Sequence, residues 1–418
     1  MPIFDRAYPR LGEIMEPDRN SFGVLRVAMA SLVLVSHSYL FHTGSSAGEP
    51  LTAWTGWSLG EHAVQVFFLL SGLLVAQSFD RSKGLVDFVL ARTLRIFPGL
   101  IVCVLLTALG LGAAMTTLPP SEYFSSAGLP AYIAKTVSLA TGSAPLPGVF
   151  ETVPLAERVN TSLWTLKYEV ICYAGLAAAG LVGLFRSGWK GAALLSLAIA
   201  GLAVFITPPV LADNYTFKDN IRYFALFFAP GVLAYLVRER LMISGLAVIP
   251  LLALFLAARG TQLTEIATAL FLGYTALWAA SKSFGPLTRL TNRLDLSFGI
   301  YIYAGPIQQA LINGVPGISP VGIAATAAVF AVPLALLSWV FVERPAMGLR
   351  AKLRNALTRI TSPRQTTLGW QSPPLLRGEG RAPFPHRHPR AAGGTPADPA
   401  AGTQASFRCT RSLGPHGW

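Results

Sequence analysis

Charge is what this chain has least of. Of its 418 residues only 13% are Asp, Glu, Lys or Arg, while 52% are hydrophobic; a soluble domain carries about 25% charged residues. That balance excludes an ordinary soluble globular chain. Cysteine is scarce as well. Cys103, Cys172 and Cys409 form no disulfide or metal framework, and the first two, lying in apolar stretches, read as small packing residues. No internal repeat is visible, so an inverted-repeat transporter has no support. A folded basic module is also missing, so the net charge of +13 does not argue for a nucleic-acid partner. Most of that charge sits at the end of the chain. From Arg350 onward eleven basic and two acidic residues leave +9, and the rest of the chain carries only +4. This Pro-, Gly- and Arg-rich end lacks apolar periodicity and is expected to be disordered, free to touch anionic lipid head groups. The expected division is 1–345 as a transmembrane domain and 346–418 as a basic cytoplasmic tail.

What is present is a series of apolar segments. Spanning the hydrocarbon needs about 20 mostly apolar residues, and ten segments qualify: Phe22–Phe41, His62–Phe79, Leu94–Leu118, Leu163–Phe185, Gly191–Thr207, Ile221–Val237, Leu241–Ala257, Leu263–Ala280, Leu296–Ile312 and Val321–Phe341. In lipid each must satisfy its own backbone hydrogen bonds, which makes all ten helices. The expected fold is therefore all-α, a polytopic bundle of about ten transmembrane helices. The first segment is too long, and too polar at Arg26 and His37, for a signal peptide. With the N-terminus inside, thirteen basic residues fall in cytoplasmic loops and four in outer ones. The positive-inside rule favours that orientation, with both termini cytoplasmic and a multi-pass placement in the cell (inner) membrane.

The first helix poses a question of cost. Arg26 and His37 are eleven residues apart, three full turns plus about 20° at 100° per residue. They share one face, roughly 16 Å apart along the axis. Ionisable groups in membrane helices usually face a bundle interior or wet cavity and mark a functional path; the alternative is a snorkelling arginine and a packing histidine. Glu169, about two turns into the fourth helix, is expected at a similar depth to His37. A carboxylate there is costly unless paired, and a histidine is a natural partner; a structural pairing with Lys167 or another helix is the alternative. Ser162 can cap this helix, and Trp164 suits an interfacial belt. Ser71-Gly72 interrupts the second helix and fits close helix packing. In "DFVLARTLRIFPGL" Arg92 and Arg95 stand at i and i+3 in an amphipathic stretch ending at Pro98. They fit either a plain positive-inside signal or, with Arg26, a guanidinium site for phosphates.

Together these stretches resemble the acyltransferase type three family of polytopic membrane O-acyltransferases, which modify sugars of lipopolysaccharides, capsules, Nod factors and macrolides. The resemblance covers about residues 18–345. It rests on "FGVLRVAMASLVLVSH", with Arg26 and His37; on "VFFLLSGLLVA", with Phe67, Phe68, Ser71 and Gly72; and on "FVLARTLRIFP", with Arg92, Arg95 and Pro98. "SLWTLKYEVICY" adds Ser162, Leu163, Trp164, Glu169 and Tyr173. "LSFGIYIYAGPIQQ" adds Ser297, Gly299, Tyr301 and Pro306, and "VERP" adds Glu343 and Pro345. Each motif is weak alone, but six in the family's order and spacing are specific. One departure stands out: Ala304 occupies the place where many members carry a His three residues after the Tyr. His62 begins the second helix at the outer surface, which leaves His37 as the embedded histidine.

The resemblance implies a membrane-bound O-acyltransferase, most simply an O-acetyltransferase. It would use cytoplasmic acetyl-CoA or another acyl-CoA as donor substrate, with no bound cofactor or metal, and a glycan or glycolipid hydroxyl as acceptor. Imidazole suits the removal of that hydroxyl's proton. His37 and Glu169 are the expected catalytic pair, Glu169 orienting the ring; an acyl-imidazole on His37 is the other route. Arg26, Arg92, Arg95, Ser71, Ser162, Trp164 and Tyr301 are the expected substrate contacts. A flippase of a lipid-linked sugar and a purely structural membrane subunit are the competing classes.

Overall fold

Long apolar runs dictate helices, and helices are what form. The computed structural model describes residues 8–16, 19–141, 144–205 and 216–361. Among these the chain forms thirteen helices of eight residues or more, and no strand beyond two isolated bridges. Numbered in chain order they are α1 Phe22–Thr43, α2 Leu59–Asp80, α3 Leu85–Leu105, α4 Gly128–Val137, α5 Trp164–Leu181, α6 Trp189–Phe205, α7 Phe217–Leu236, α8 Val248–Ala258, α9 Thr264–Ala280, α10 Pro286–Arg293, α11 Ser297–Gly314, α12 Pro320–Ser338 and α13 Arg350–Thr361. Four continuous stretches are long and apolar enough to cross a membrane: Phe22–Thr43, Leu59–Asp80, Leu85–Met115 and Pro320–Leu357. The chain divides into one compact unit, Met1–Arg359, and a second from Ile360. Residues 362–418, most of the expected tail, lie outside those described, as does Thr207 at the end of the fifth expected segment.

Local chemistry sets the helix ends. Ser58 and Glu61 cap α2 reciprocally: the Ser58 Oγ accepts from Glu61 N–H, and the Glu61 carboxylate accepts from Ser58 N–H. Gly44 ends α1 at φ 74°, a conformation glycine adopts without a Cβ penalty. Two helices run on through a π-helical turn, α3 through Leu106–Leu111 and α12 through Trp339–Glu343.

Three boundaries differ from the sequence reading. The third apolar helix begins at Leu85 rather than Leu94 and runs through Pro98. The basic stretch before Leu94 reads as a loop by charge. Yet Asp87 and Arg92 find partners on other segments, which lets the helix carry them. The seventh begins at Val248 rather than Leu241. Leu241 and Ile243 instead exchange backbone hydrogen bonds with the N-terminal segment at Leu11 and Pro9. Finally, the start of the tail is ordered. Arg350 donates to both carboxylate oxygens of Asp87, at 2.9 and 2.8 Å, which fastens α13 to the start of α3. Leu349 just before α13 and Leu353 and Leu357 within it recur at helical spacing.

The core is divided by these crossings. Gly72 of α2 and Gly231 of α7 meet backbone to backbone, since a Cβ on either would overlap a main-chain carbonyl of the other helix. Small residues permit that approach. α1, α11 and α12 meet over Ala30, Leu34, Ile300, Ala304, Ala327 and Ala331. Ala304 thus fills an alanine-rich helix contact.

Candidate active site

The first helix carries Arg26 and His37 into neighbouring cavities. One, of about 70 Å³, is bordered by Arg26, Phe67, Ser71, Glu169 and Phe298. The other, of about 230 Å³, is bordered by His37, Trp57, Glu61, Trp164, Asn220 and Tyr223. Val64, Thr165 and Tyr301 border both.

Around Arg26 the arrangement is ionic. Arg26 Nη1 and Arg95 Nη2 each donate to Asp295 Oδ2 at 2.6 Å, and Arg95 Nη1 donates to Glu343 Oε2 at 2.7 Å. The remaining oxygens are also satisfied: Ser297 donates to Asp295 Oδ1 at 2.6 Å and Ser338 to Glu343 Oε1 at 2.9 Å. Both acids are buried, at 4% and 1% exposure, where an unpaired charge would cost several kcal/mol. The π-helical turn Trp339–Glu343 shifts the register of α12 where Glu343 meets Arg95; such turns often occur at functional sites. Arg92, three residues before Arg95, is held apart. It donates to Ser78 Oγ at 3.1 Å and lies 5.8 Å from the centre of the Tyr173 ring. Among the described residues it has no ion pair.

Glu169 and His37 each have partners, but not one another. Glu169 Oε1 accepts from Ser71 Oγ at 3.1 Å and from the Tyr173 hydroxyl. So Ser71 is more than a packing residue beside Gly72. His37 Nδ1 lies 3.3 Å from Ser162 Oγ. Ser162 does not cap α5. No side chain caps α5; Asn160 caps the 3-10 turn ahead of it, its Oδ1 accepting from Ser162 N–H while its Nδ2 donates to Ile302 O of α11 at 2.8 Å. That double tie sets the 3-10 turn Thr161–Leu163 and turns the Ser162 hydroxyl toward the imidazole. Trp164 borders the His37 cavity and packs on Tyr168 and Phe224. Tyr301 donates to or accepts from Thr165 Oγ1 at 2.6 Å, and its ring lies edge-on to Phe67.

Comparison with known proteins then decides the class. The family model described as "Acyltransferase domain" matches residues 19–341. The chain belongs to this acyltransferase family. It is 32% identical over 335 residues to the O-acetyl transferase of Shigella phage Sf6, covering 78% of this chain and 95% of that one. It is 30% identical over 372 residues to nodulation protein 10 of Rhizobium leguminosarum bv. viciae, covering 80% of this chain and 95% of that protein. No solved structure matches it. The acyltransferase is thus an all-helical membrane enzyme, and both cavities lie within the family region.

Several neighbours of the acyltransferase site escaped the sequence reading. Asp295 stands two residues before Ser297 of the quoted motif, and an acid between two apolar segments is the available signal. His62, in the first turn of α2, is buried. Its Nε2 lies 3.0 Å from Thr55 Oγ1 and its Nδ1 2.9 Å from Gln65 Oε1. Gln65 in turn donates to the Tyr223 hydroxyl at 2.6 Å, at the edge of the His37 cavity. Nothing in the sequence pairs these residues, because Tyr223 is 158 positions from Gln65.

Proposed function

We propose that this acyltransferase moves an acyl group, most simply acetyl, from cytoplasmic acyl-CoA to a hydroxyl of a cell-surface glycan or glycolipid. In this reading about ten helices cross the inner membrane, both termini are cytoplasmic, 1–345 is the catalytic bundle and 346–418 the cytoplasmic tail. The observation that carries it is the pair of adjoining cavities, one with Arg26 at its edge and one with His37. The first takes the donor. Arg26 and Arg92 face the donor's phosphates, while Asp295 holds both Arg26 and Arg95 in place and Glu343 holds Arg95. Ser71 and Glu169 border the path of the thioester arm. The second takes the acceptor, with Trp57 and Trp164 offering flat apolar faces and Glu61 and Asn220 offering hydrogen bonds, a combination that suits a sugar.

With Nδ1 turned to Ser162, His37 presents Nε2 to the acceptor. That nitrogen takes the hydroxyl proton as the oxygen attacks the thioester carbon, and returns it to the departing thiolate. Glu169 acts on the donor side through Ser71 and Tyr173, instead of orienting the ring. The relative named as an O-acetyl transferase supports acetyl as the group moved.

The test uses purified enzyme in lipid nanodiscs with radiolabelled acetyl-CoA and surface glycan extracted from deletion cells. Label should pass into the glycan, and mass spectrometry of complemented cells should show the added acetyl mass. Acetyl-CoA left unconsumed with every glycan fraction, by enzyme that retains its fold, overturns the reading.

A further inference from the structure

The two cavities meet at a partition made by three side chains from three helices: Val64 of α2, Thr165 of α5 and Tyr301 of α11. Val64 contributes only apolar surface. Thr165 and Tyr301 contribute two hydroxyls, bonded to each other at 2.6 Å, and both residues are buried. Thr165 Oγ1 has one further acceptor nearby, Ser162 O, at a long 3.4 Å. Two hydroxyls carry two protons, and only one can lie in the bond between them. The second therefore has no short acceptor among the described residues other than that distant carbonyl. That long bond to Ser162 O can give way to a closer acceptor, and the pair stands between cavities bordered by Arg26 and Glu169 on one side and His37 on the other.

We propose that the Thr165–Tyr301 pair holds the acyl carbonyl during transfer and donates a hydrogen bond to the oxyanion that forms. The proposal rests on acyl transfer between the two cavities as read above. A donor entering past Arg26 and an acceptor entering past His37 can both reach one place, the partition. There the acceptor oxygen bonds to the carbonyl carbon, its proton passes to His37 Nε2, and the carbonyl π pair becomes the oxyanion. The pair turns its spare proton onto that oxygen. Collapse re-forms the carbonyl and breaks the carbon–sulfur bond, and the CoA thiolate leaves with the proton from the imidazolium. A fixed donor in a water-poor site gains more from developing charge than it would in water, and removal of one such donor costs on the order of 10²–10³ in kcat.

The test compares Tyr301→Phe, Thr165→Val and Thr165→Ser with wild type in nanodiscs, using radiolabelled acetyl-CoA and extracted glycan. Coenzyme A affinity is measured separately by calorimetry. Tyr301→Phe keeps the ring against Phe67, so its fold should survive. It should lower the transfer rate roughly 100-fold or more with unchanged coenzyme A affinity. Thr165→Val should fall similarly, and Thr165→Ser, which restores a hydroxyl, should recover most of that loss. If Tyr301→Phe and Thr165→Val both transfer within threefold of wild type, the proposal fails while the acyl-transfer reading stands. A loss explained wholly by weaker coenzyme A binding overturns it too. A wild type inert towards every glycan overturns both.

Discussion

The two ends of α1 solve the problem of a half-buried ionisable group in opposite ways. Arg26 is matched charge for charge, sharing Asp295 with Arg95 in a web closed by Glu343 and two serines. His37 receives a single neutral hydroxyl, from Ser162, at 3.3 Å. The first arrangement fixes geometry: three helical segments and the loop before α11 are tied by charge-assisted hydrogen bonds. The second leaves the imidazole with no carboxylate bonded to its ring among the described residues. On the acyl-transfer reading proposed above, the Arg26 end holds the bundle and the His37 end reacts.

The sharpest way to break this contrast is His37→Gln. The amide keeps approximate size and some hydrogen bonding but cannot take up a proton near neutral pH. Transfer should fall about 10²–10⁴-fold with equal enzyme in the membrane. A Gln variant that acylates its glycan near the wild-type rate would make His37 structural, and the contrast would collapse. Asp295→Ala probes the other end. It leaves Arg26 without its acid and Arg95 with only one, and breaking a buried ion network costs on the order of 3–5 kcal/mol. Thermal unfolding in detergent should therefore come at markedly lower temperature than in wild type, whereas His37→Gln should leave it almost unmoved. Equal unfolding temperatures for the two variants would refute the division into a holding end and a reacting end. The mildest change is Ser162→Ala. Loss of one neutral hydrogen bond is worth about 0.5–1.5 kcal/mol, so the rate should drop roughly 2- to 10-fold, read in the same transfer assay. A loss as deep as that of His37→Gln would give Ser162 a part in the chemistry beyond orienting the ring.

Sequence alone showed well whatever one helix decides by itself. Apolar length placed helices in all ten expected segments, and the 3.6-residue period brought Arg26 and His37 to adjoining cavities. The partners stayed hidden because tertiary contacts choose them. Asp295 is 269 residues from Arg26 and 200 from Arg95, and no local pattern ties them. Glu169 and His37, both costly and expected at one depth, invited a pairing that each meets elsewhere, with Ser71 and Tyr173 on one side and Ser162 on the other. The start of α3 was misplaced for a related reason. Charge was read as a loop signal, whereas Arg350 and Ser78 supply Asp87 and Arg92 with partners that keep the helix intact. Ser162 reads as a cap of α5 because hydroxyls commonly cap, but α5 has no side-chain cap and Asn160 caps the 3-10 turn ahead of it.

The contact of Gly72 with Gly231 has a consequence for how this enzyme can change over generations. Neither glycine borders a cavity, yet α2 carries Ser71 and Val64 and α7 carries Tyr223 and Phe224, all of which do. One added methyl group at the crossing would force the two backbones apart and displace residues of both cavities together. A library of random variants screened for glycan acylation should thus tolerate replacements along much of the cavity wall that alter acceptor preference. At these two positions, which line neither of the two cavities, it should return almost nothing but glycine.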